Sequence, residues 1–223
     1  GLYSYLKKQY NNLYTQDIIC HGVPSPMVWK KYVEEREKEY SAKTKQIYFR
    51  NKKSGWKSYS ISFDFVNNKE YMKVHREDSF MRAFLSDVCL RQSCSNCSFK
   101  NITRQSDLTL ADFWGIQNVL PEMDDDKGTS LVLVHSEKGH ELLEQIEHLM
   151  ITKPVDIDCV IKYNPSVITS VSPNQLREKY MKRIKTESPD YLANKLFKIS
   201  LKKRIKLMLS RLGIISLLKK MRK

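Results

Sequence analysis

The chain has 223 residues, 41% of them hydrophobic, and 39 Lys and Arg against 25 Asp and Glu give a net charge of +14. That is enough apolar material for a real core in one or two domains, and its periodic apolar blocks, interrupted by only seven Gly and seven Pro, exclude a disordered chain. No apolar run reaches the roughly 18 residues of a membrane span, and the odd count of five cysteines speaks against a secreted disulfide framework.

Leu2, Tyr5, Leu6 and Tyr10 recur at helical spacing up to Asn11-Asn12, and Leu13 to Cys20 reads as a short buried strand. The first residue is Gly1 rather than Met, and no cap or signal-peptide core precedes the helix, so the chain is expected to be a piece of a longer one. His21 to Pro26 is a turn-rich loop. Met27 to Tyr40 is an amphipathic helix with Val28, Trp29, Tyr32 and Val33 on its apolar face. Gln46 to Arg50, Trp56 to Val66 and Tyr71 to His75 form an antiparallel meander, the middle run alternating through Tyr59, Ile61, Phe63 and Phe65. Ser79 to Val88 returns to helical period and leads into a cysteine cluster. Beyond it, Leu108 to Phe113 is a strand stopped at Trp114-Gly115. Leu131 to His135, Lys138 to Met150 and Ile151 to Val155 then follow as strand, helix and strand, an order that favours parallel pairing with a right-handed crossover. The fold class is α/β in the α+β sense: a mixed sheet with flanking helices, an antiparallel meander and a cysteine-rich loop.

Cys89, Cys94 and Cys97 fall within nine residues at the spacing C-x4-C-x2-C. Two residues between Cys94 and Cys97 let both thiolates converge on one centre, and the run matches an iron-sulfur site better than a zinc ribbon, which offers two C-x2-C pairs. The plain alternative is three ordinary cysteines at a helix end. An all-cysteine site needs a fourth ligand. Cys20, followed by His21-Gly22 where a missing side chain lets the backbone approach an inorganic cluster, is favoured. The other candidate, Cys159, lies in an alternating segment, Val155 to Ile161, where a buried cysteine serves as a small apolar filler. A downstream fourth cysteine fits the plant-type 2Fe-2S order, so spacing leaves the cluster type open.

Several strings together carry a resemblance. They are Asp17 to Pro26, Phe49-Arg50, Gly55-Trp56, Cys89-Leu-Arg-x-Ser-Cys94-x-x-Cys97, Ser106-Asp107 with Ala111-Asp112-Phe113-Trp114-Gly115, and Lys127-Gly128-Thr129-Ser130. Over about residues 1 to 180 the chain resembles the coenzyme F-420 hydrogenase/dehydrogenase beta-subunit family, C-terminal domain. The resemblance implies an iron-sulfur flavoprotein: a 4Fe-4S cluster on Cys89, Cys94, Cys97 and Cys20, beside an FAD that exchanges electrons with a deazaflavin or a redox partner protein. In that family a domain with a Pro-Cys-Gln string usually precedes the segment with which this chain begins. The chain also resembles members encoded with polysaccharide-biosynthesis enzymes.

Other features are weaker. Lys127, Gly128, Thr129 and Ser130 could present backbone N–H groups to a flavin pyrophosphate, though an ordinary turn has the same chemistry and neither a P-loop nor a dinucleotide motif is met. Phe113 and Trp114 are placed to cover a cluster or flavin ring, or simply to pack, and Gly115 to allow a tight turn. The acidic run Asp124 to Asp126 reads as a solvated turn, since it lacks a calcium-loop pattern. His21 is positioned to hydrogen-bond cluster sulfur; His135 reads as a strand residue, and His140 and His148 as helix-surface residues.

The charge is uneven. After Asp190 there is no acid, and eleven of the fourteen net charges lie in residues 191–223, leaving +3 for residues 1–190. This suggests a redox body, 1–190, and a basic amphipathic C-terminal helix, 191–223, suited to an anionic membrane surface or to docking on the body. Nucleic acid is disfavoured as partner, because no aromatic residue follows Phe197 for stacking. The expected function is an electron-transfer subunit or oxidoreductase, cytoplasmic or peripheral to the inner face of the membrane. The competing reading is a zinc-stapled binding module with a basic membrane- or anion-binding tail.

Overall fold

The computed structural model describes residues 2–8 and 10–197. The described residues divide into two compact units, each assembled from three stretches: residues 2–23, 50–60 and 90–173 in the first, and 24–49, 61–89 and 174–197 in the second. The basic tail from residue 198 onward lies outside the described residues. Among those described, no helix is long and apolar enough to cross a membrane.

The first unit is built on a three-stranded sheet of β1 (Gln16–Ile18), β5 (Leu108–Asp112) and β6 (Ser130–Val134), in the order β1-β5-β6. β1 runs parallel to β5 with Ile18 opposite Leu110, and β6 runs antiparallel to β5 with Ala111 opposite Leu131. Its helices are α1 (Leu2–Leu6), α4 (Ile116–Val119), α5 (Glu137–Ile146) and α6 (Ile157–Tyr163). Phe113, Ile116, Leu131, Val160 and Val167 form a buried cluster, with Leu120, Met123 and Val155 packed against it. Burial of this apolar surface supplies the driving force for the unit. Asp107 pins the opening of β5: it accepts from the Thr15 N–H and hydroxyl at 2.7 and 2.8 Å and from the Ser136 hydroxyl at 2.6 Å. Burial opposes the Asp107 charge, but these hydrogen bonds from Ser136 and Thr15 outweigh it and hold the carboxyl below its usual range.

The second unit carries α2 (Pro26–Tyr40) and, largely within it, the meander β2 (Thr44–Asn51), β3 (Ser60–Phe65) and β4 (Glu70–Val74), in the order β2-β3-β4. Helices α3 (Ser79–Leu85), α7 (Arg177–Arg183) and α8 (Pro189–Leu196) complete it. Its core is aromatic: Tyr32 stacks on Phe80 with ring centroids 5.2 Å apart and meets Phe63 edge-on at 5.6 Å. At the centre the fully buried Asp78 accepts from the hydroxyls of Tyr32 at 2.5 Å and Tyr71 at 2.7 Å, while its other oxygen caps α3 through the Met81 N–H at 2.8 Å.

Several expectations are corrected. The first helix stops at Leu6, where Lys7 takes a left-handed φ of 53°, and α3 stops at Leu85, two residues before Asp87 does the same at 63°. The middle strand of the meander starts at Ser60 rather than Trp56, because the Trp56 N–H is drawn to the Asp126 carbonyl at 2.7 Å. Ile151 to Val155 is not a strand. The expected strand-helix-strand crossover is absent, and the parallel pair is instead β1 with β5. Cys159 sits on α6, not on an alternating strand, since Asp156 caps that helix by accepting from the Asp158 N–H at 2.7 Å.

Candidate functional site: the cysteine pocket

The site of interest lies in the first unit. Parallel pairing of β1 with β5 makes two signature strings leave the same edge of the sheet, Cys20-His21-Gly22 after β1 and Phe113-Trp114-Gly115 after β5. The carboxyl ends of parallel strands are where α/β sheets place ligands. Gly115 turns the chain at a φ of 83°, and a Cβ there would lie 2.2 Å from the Tyr163 ring, so both conformation and space require glycine.

The Cys20 loop meets the cysteine run. The Arg91 N–H donates to the Val23 carbonyl at 2.8 Å, and the Val23 N–H donates to Cys94 Sγ at 3.3 Å. Cys94 stands in the short 3-10 helix Gln92–Asn96, and Cys97 follows it with its N–H donated to Ser170 Oγ at 3.1 Å. Cys20, Cys94 and Cys97 thus line one pocket of about 340 Å³, together with His21 and two cations, Lys100 and Arg104. Among the described residues lining it there is no carboxylate. A Cβ at Gly22 would meet a Leu90 methyl at 2.6 Å, so the missing side chain also makes room for Leu90.

Lys100 Nζ donates to the carbonyl of Cys20 and to that of Ser166, the latter at 2.8 Å. Burial pulls its pKa below the ordinary lysine value, against an opposing pull from Cys20 and Cys97. Arg104 is 8% exposed and pairs with Asp17 at 3.2 Å. Neither cation stood out in the sequence. The available signal was a Lys and an Arg close behind the last cysteine with no acid between, which a search restricted to ligand types passes over.

Cys89 belongs to the second unit and is fully buried; burial pushes its thiol up to about 12, and it is not among the residues lining the pocket. Cys159, half-buried on α6, does not line the pocket either. The donor set fits an iron-sulfur group: three thiols line one pocket, a backbone N–H is directed at one of the sulfurs, and two cations share the lining. Among the described residues no three His, Cys, Asp or Glu side chains are gathered tightly enough to share a single ion.

The Lys127 to Ser130 loop lies in the same unit, and its groups are engaged internally. The Lys127 N–H is bonded to Asp125, the Lys127 carbonyl to Lys52 Nζ, and the Thr129 hydroxyl to the Met123 carbonyl. Gly128 lies against the ring of Trp56, which stacks on Trp114 with centroids 5.2 Å apart. Arg50 lies over both rings and pairs with Asp112. The acidic turn is more than solvated: Asp126 Oδ1 accepts from the Lys57 N–H at 2.8 Å and Asp124 pairs with Lys57.

The family model for the C terminus of the coenzyme F420 hydrogenase/dehydrogenase beta subunit matches residues 1–157, well over half of the chain. The chain belongs to this family. The match ends before the residue 180 suggested by the motifs, yet it contains Cys20, the whole cysteine run and the strings that follow β5 and precede β6. No curated protein and no solved structure gives a significant match. Within this beta-subunit family frame, the chain is an oxidoreductase-type subunit resembling those hydrogenases and dehydrogenases.

Proposed function

We propose that the protein is an iron-sulfur electron-transfer subunit whose cluster, of the 4Fe-4S type, is held by Cys20, Cys94 and Cys97, with Cys89 as the fourth thiolate that the family resemblance assigns. One observation carries the reading: thiols from chain segments more than seventy residues apart line one pocket that has cations and no carboxylate on its wall. When bound, such a cluster supplies one-electron transfer. The protein's residues do the rest. The Val23 N–H reduces charge density on Cys94 Sγ, Ser170 fixes the backbone at Cys97, and Lys100 ties the Cys20 carbonyl to Ser166. FAD as the neighbouring carrier, and a deazaflavin-like cofactor or a protein as redox partner, follow from the resemblance. Anionic membrane contact through the tail follows from composition.

The zinc-stapled module is the competing reading. A zinc ion draws four donors onto one centre, whereas a multi-iron cluster spreads its thiolates farther apart. The C-x4-C-x2-C spacing and the family resemblance favour the cluster. Anaerobic purification with metal analysis and a visible spectrum separates them. Brown protein with iron and acid-labile sulfide is expected; colourless protein with stoichiometric zinc overturns the proposal.

A further inference from the structure

Three thiol ligands account for only part of the cysteine pocket. Lys100 and Arg104 are the only charged Lys, Arg, Asp or Glu side chains among the described residues on its otherwise neutral wall, and they are held there at a cost. Arg104 is 8% exposed, Asp17 engages only one of its terminal nitrogens, and its Nε is buried without a hydrogen-bond partner. A buried donor left unmatched costs on the order of 1–3 kcal/mol. Lys100 lines the same pocket, its Nζ matched only by two neutral backbone carbonyls, so two cations border one space that has no carboxylate on its lining, with Asp17 the one acid paired to them. An arrangement of this kind is favourable when an anion occupies the space, because opposite charges attract strongly where water is partly excluded.

We propose that Lys100 and Arg104 are the counter-charges of the anion held at Cys20, Cys94 and Cys97, and that they raise its reduction potential. This rests on the iron-sulfur reading above. A thiolate-ligated cluster is anionic and becomes more so on reduction. One electron enters from the redox partner, no bond forms or breaks, and fixed positive charge beside the site stabilises the reduced state more than the oxidised one. Lys100 is also a positioning residue. By donating to the Cys20 carbonyl and to Ser166 O at 2.8 Å, it ties the loop after β1 to the 3-10 turn Pro165–Val167.

The test uses the full chain reconstituted anaerobically with iron and sulfide, as wild type and as Lys100→Arg, Lys100→Gln, Lys100→Met and Arg104→Gln. Iron and sulfide per chain, and a midpoint potential followed by visible absorption, are read for each. Lys100→Arg is expected to keep the wild-type potential. The three charge-removing variants are expected to shift it negative by about tenfold in the reduction equilibrium constant, 59 mV for one electron. Loss of cluster from Lys100→Gln and Lys100→Met but not from Lys100→Arg also supports the proposal, as failure to hold the anion. Loaded Lys100→Gln or Lys100→Met protein with an unchanged potential overturns it, as does equal loss of cluster from all three Lys100 variants, which would indicate packing rather than charge. A wild-type chain that takes up no iron fails the iron-sulfur reading itself, a result distinct from loaded variants with unchanged potentials.

Discussion

Asp78 and the tyrosines around it show how far single residues of the second unit depend on burial. Asp78 serves two tyrosine hydroxyls and a helix cap at once. Asp78→Ala is therefore expected to cost on the order of 3–5 kcal/mol, from two buried hydroxyls left without an acceptor and a lost N-cap. Urea unfolding measures this, and a loss below about 1 kcal/mol would show that the network is dispensable. Burial also raises the titrations of Tyr32, Tyr71 and Tyr180 above the ordinary tyrosine value. All three groups keep their protons longer folded than unfolded, so the unfolded chain binds fewer protons at alkaline pH and stability falls as pH rises. Their contribution is complete below the ordinary tyrosine value of about pH 10 and is lost progressively above it. Melting temperature at pH 8, 10 and 11 should drop steeply across that series, and a flat profile would contradict the assigned burial.

Among the elements, the turn that leaves β5 is the most constrained. Gly115→Ala places a side chain at positive φ and against the Tyr163 ring, and is expected to destabilise by more than about 1 kcal/mol. Thermal unfolding checks it, and an unchanged melting temperature would refute the stated geometry. The glycine's need for a tight turn was legible in the sequence, since an apolar strand ran into Trp114-Gly115. So were α2, the meander and α5, whose apolar periodicity reports directly on burial. The sequence did not show that Ile151 to Val155 stays unpaired or that Cys159 is helical, because a short apolar run has no period of its own and Asp156 decides the matter as a cap. Nor did it show the buried Arg36, paired with Asp190 from α8, since such a contact depends on residues 154 positions apart. Within the site, the grouping of Cys20, Cys94 and Cys97 in one pocket was legible from cysteine spacing and the Cys20 loop, whereas Cys89, grouped with them by the same spacing, does not line it. Lys100 and Arg104 were not, because their role comes from which side chains share a space.

At the scale of the whole molecule, a net charge of +14 resolves into a body at +3 and a basic tail. Leu192 and Ala193 of α8 are buried, so a truncation meant to remove the tail must begin after Phe197 rather than at residue 191. Deleting residues 198–223 is expected to abolish cosedimentation with anionic phospholipid vesicles while leaving iron content unchanged; retained vesicle binding would assign the interaction to the body. The cysteine pocket belongs to that body, and the decisive measurement is iron and acid-labile sulfide per chain after anaerobic reconstitution of Cys20→Ala, Cys94→Ala, Cys97→Ala and Cys159→Ala. Wild-type iron is expected in Cys159→Ala and severe loss in the other three. Wild-type iron in Cys20→Ala, Cys94→Ala and Cys97→Ala alike would overturn the iron-sulfur assignment.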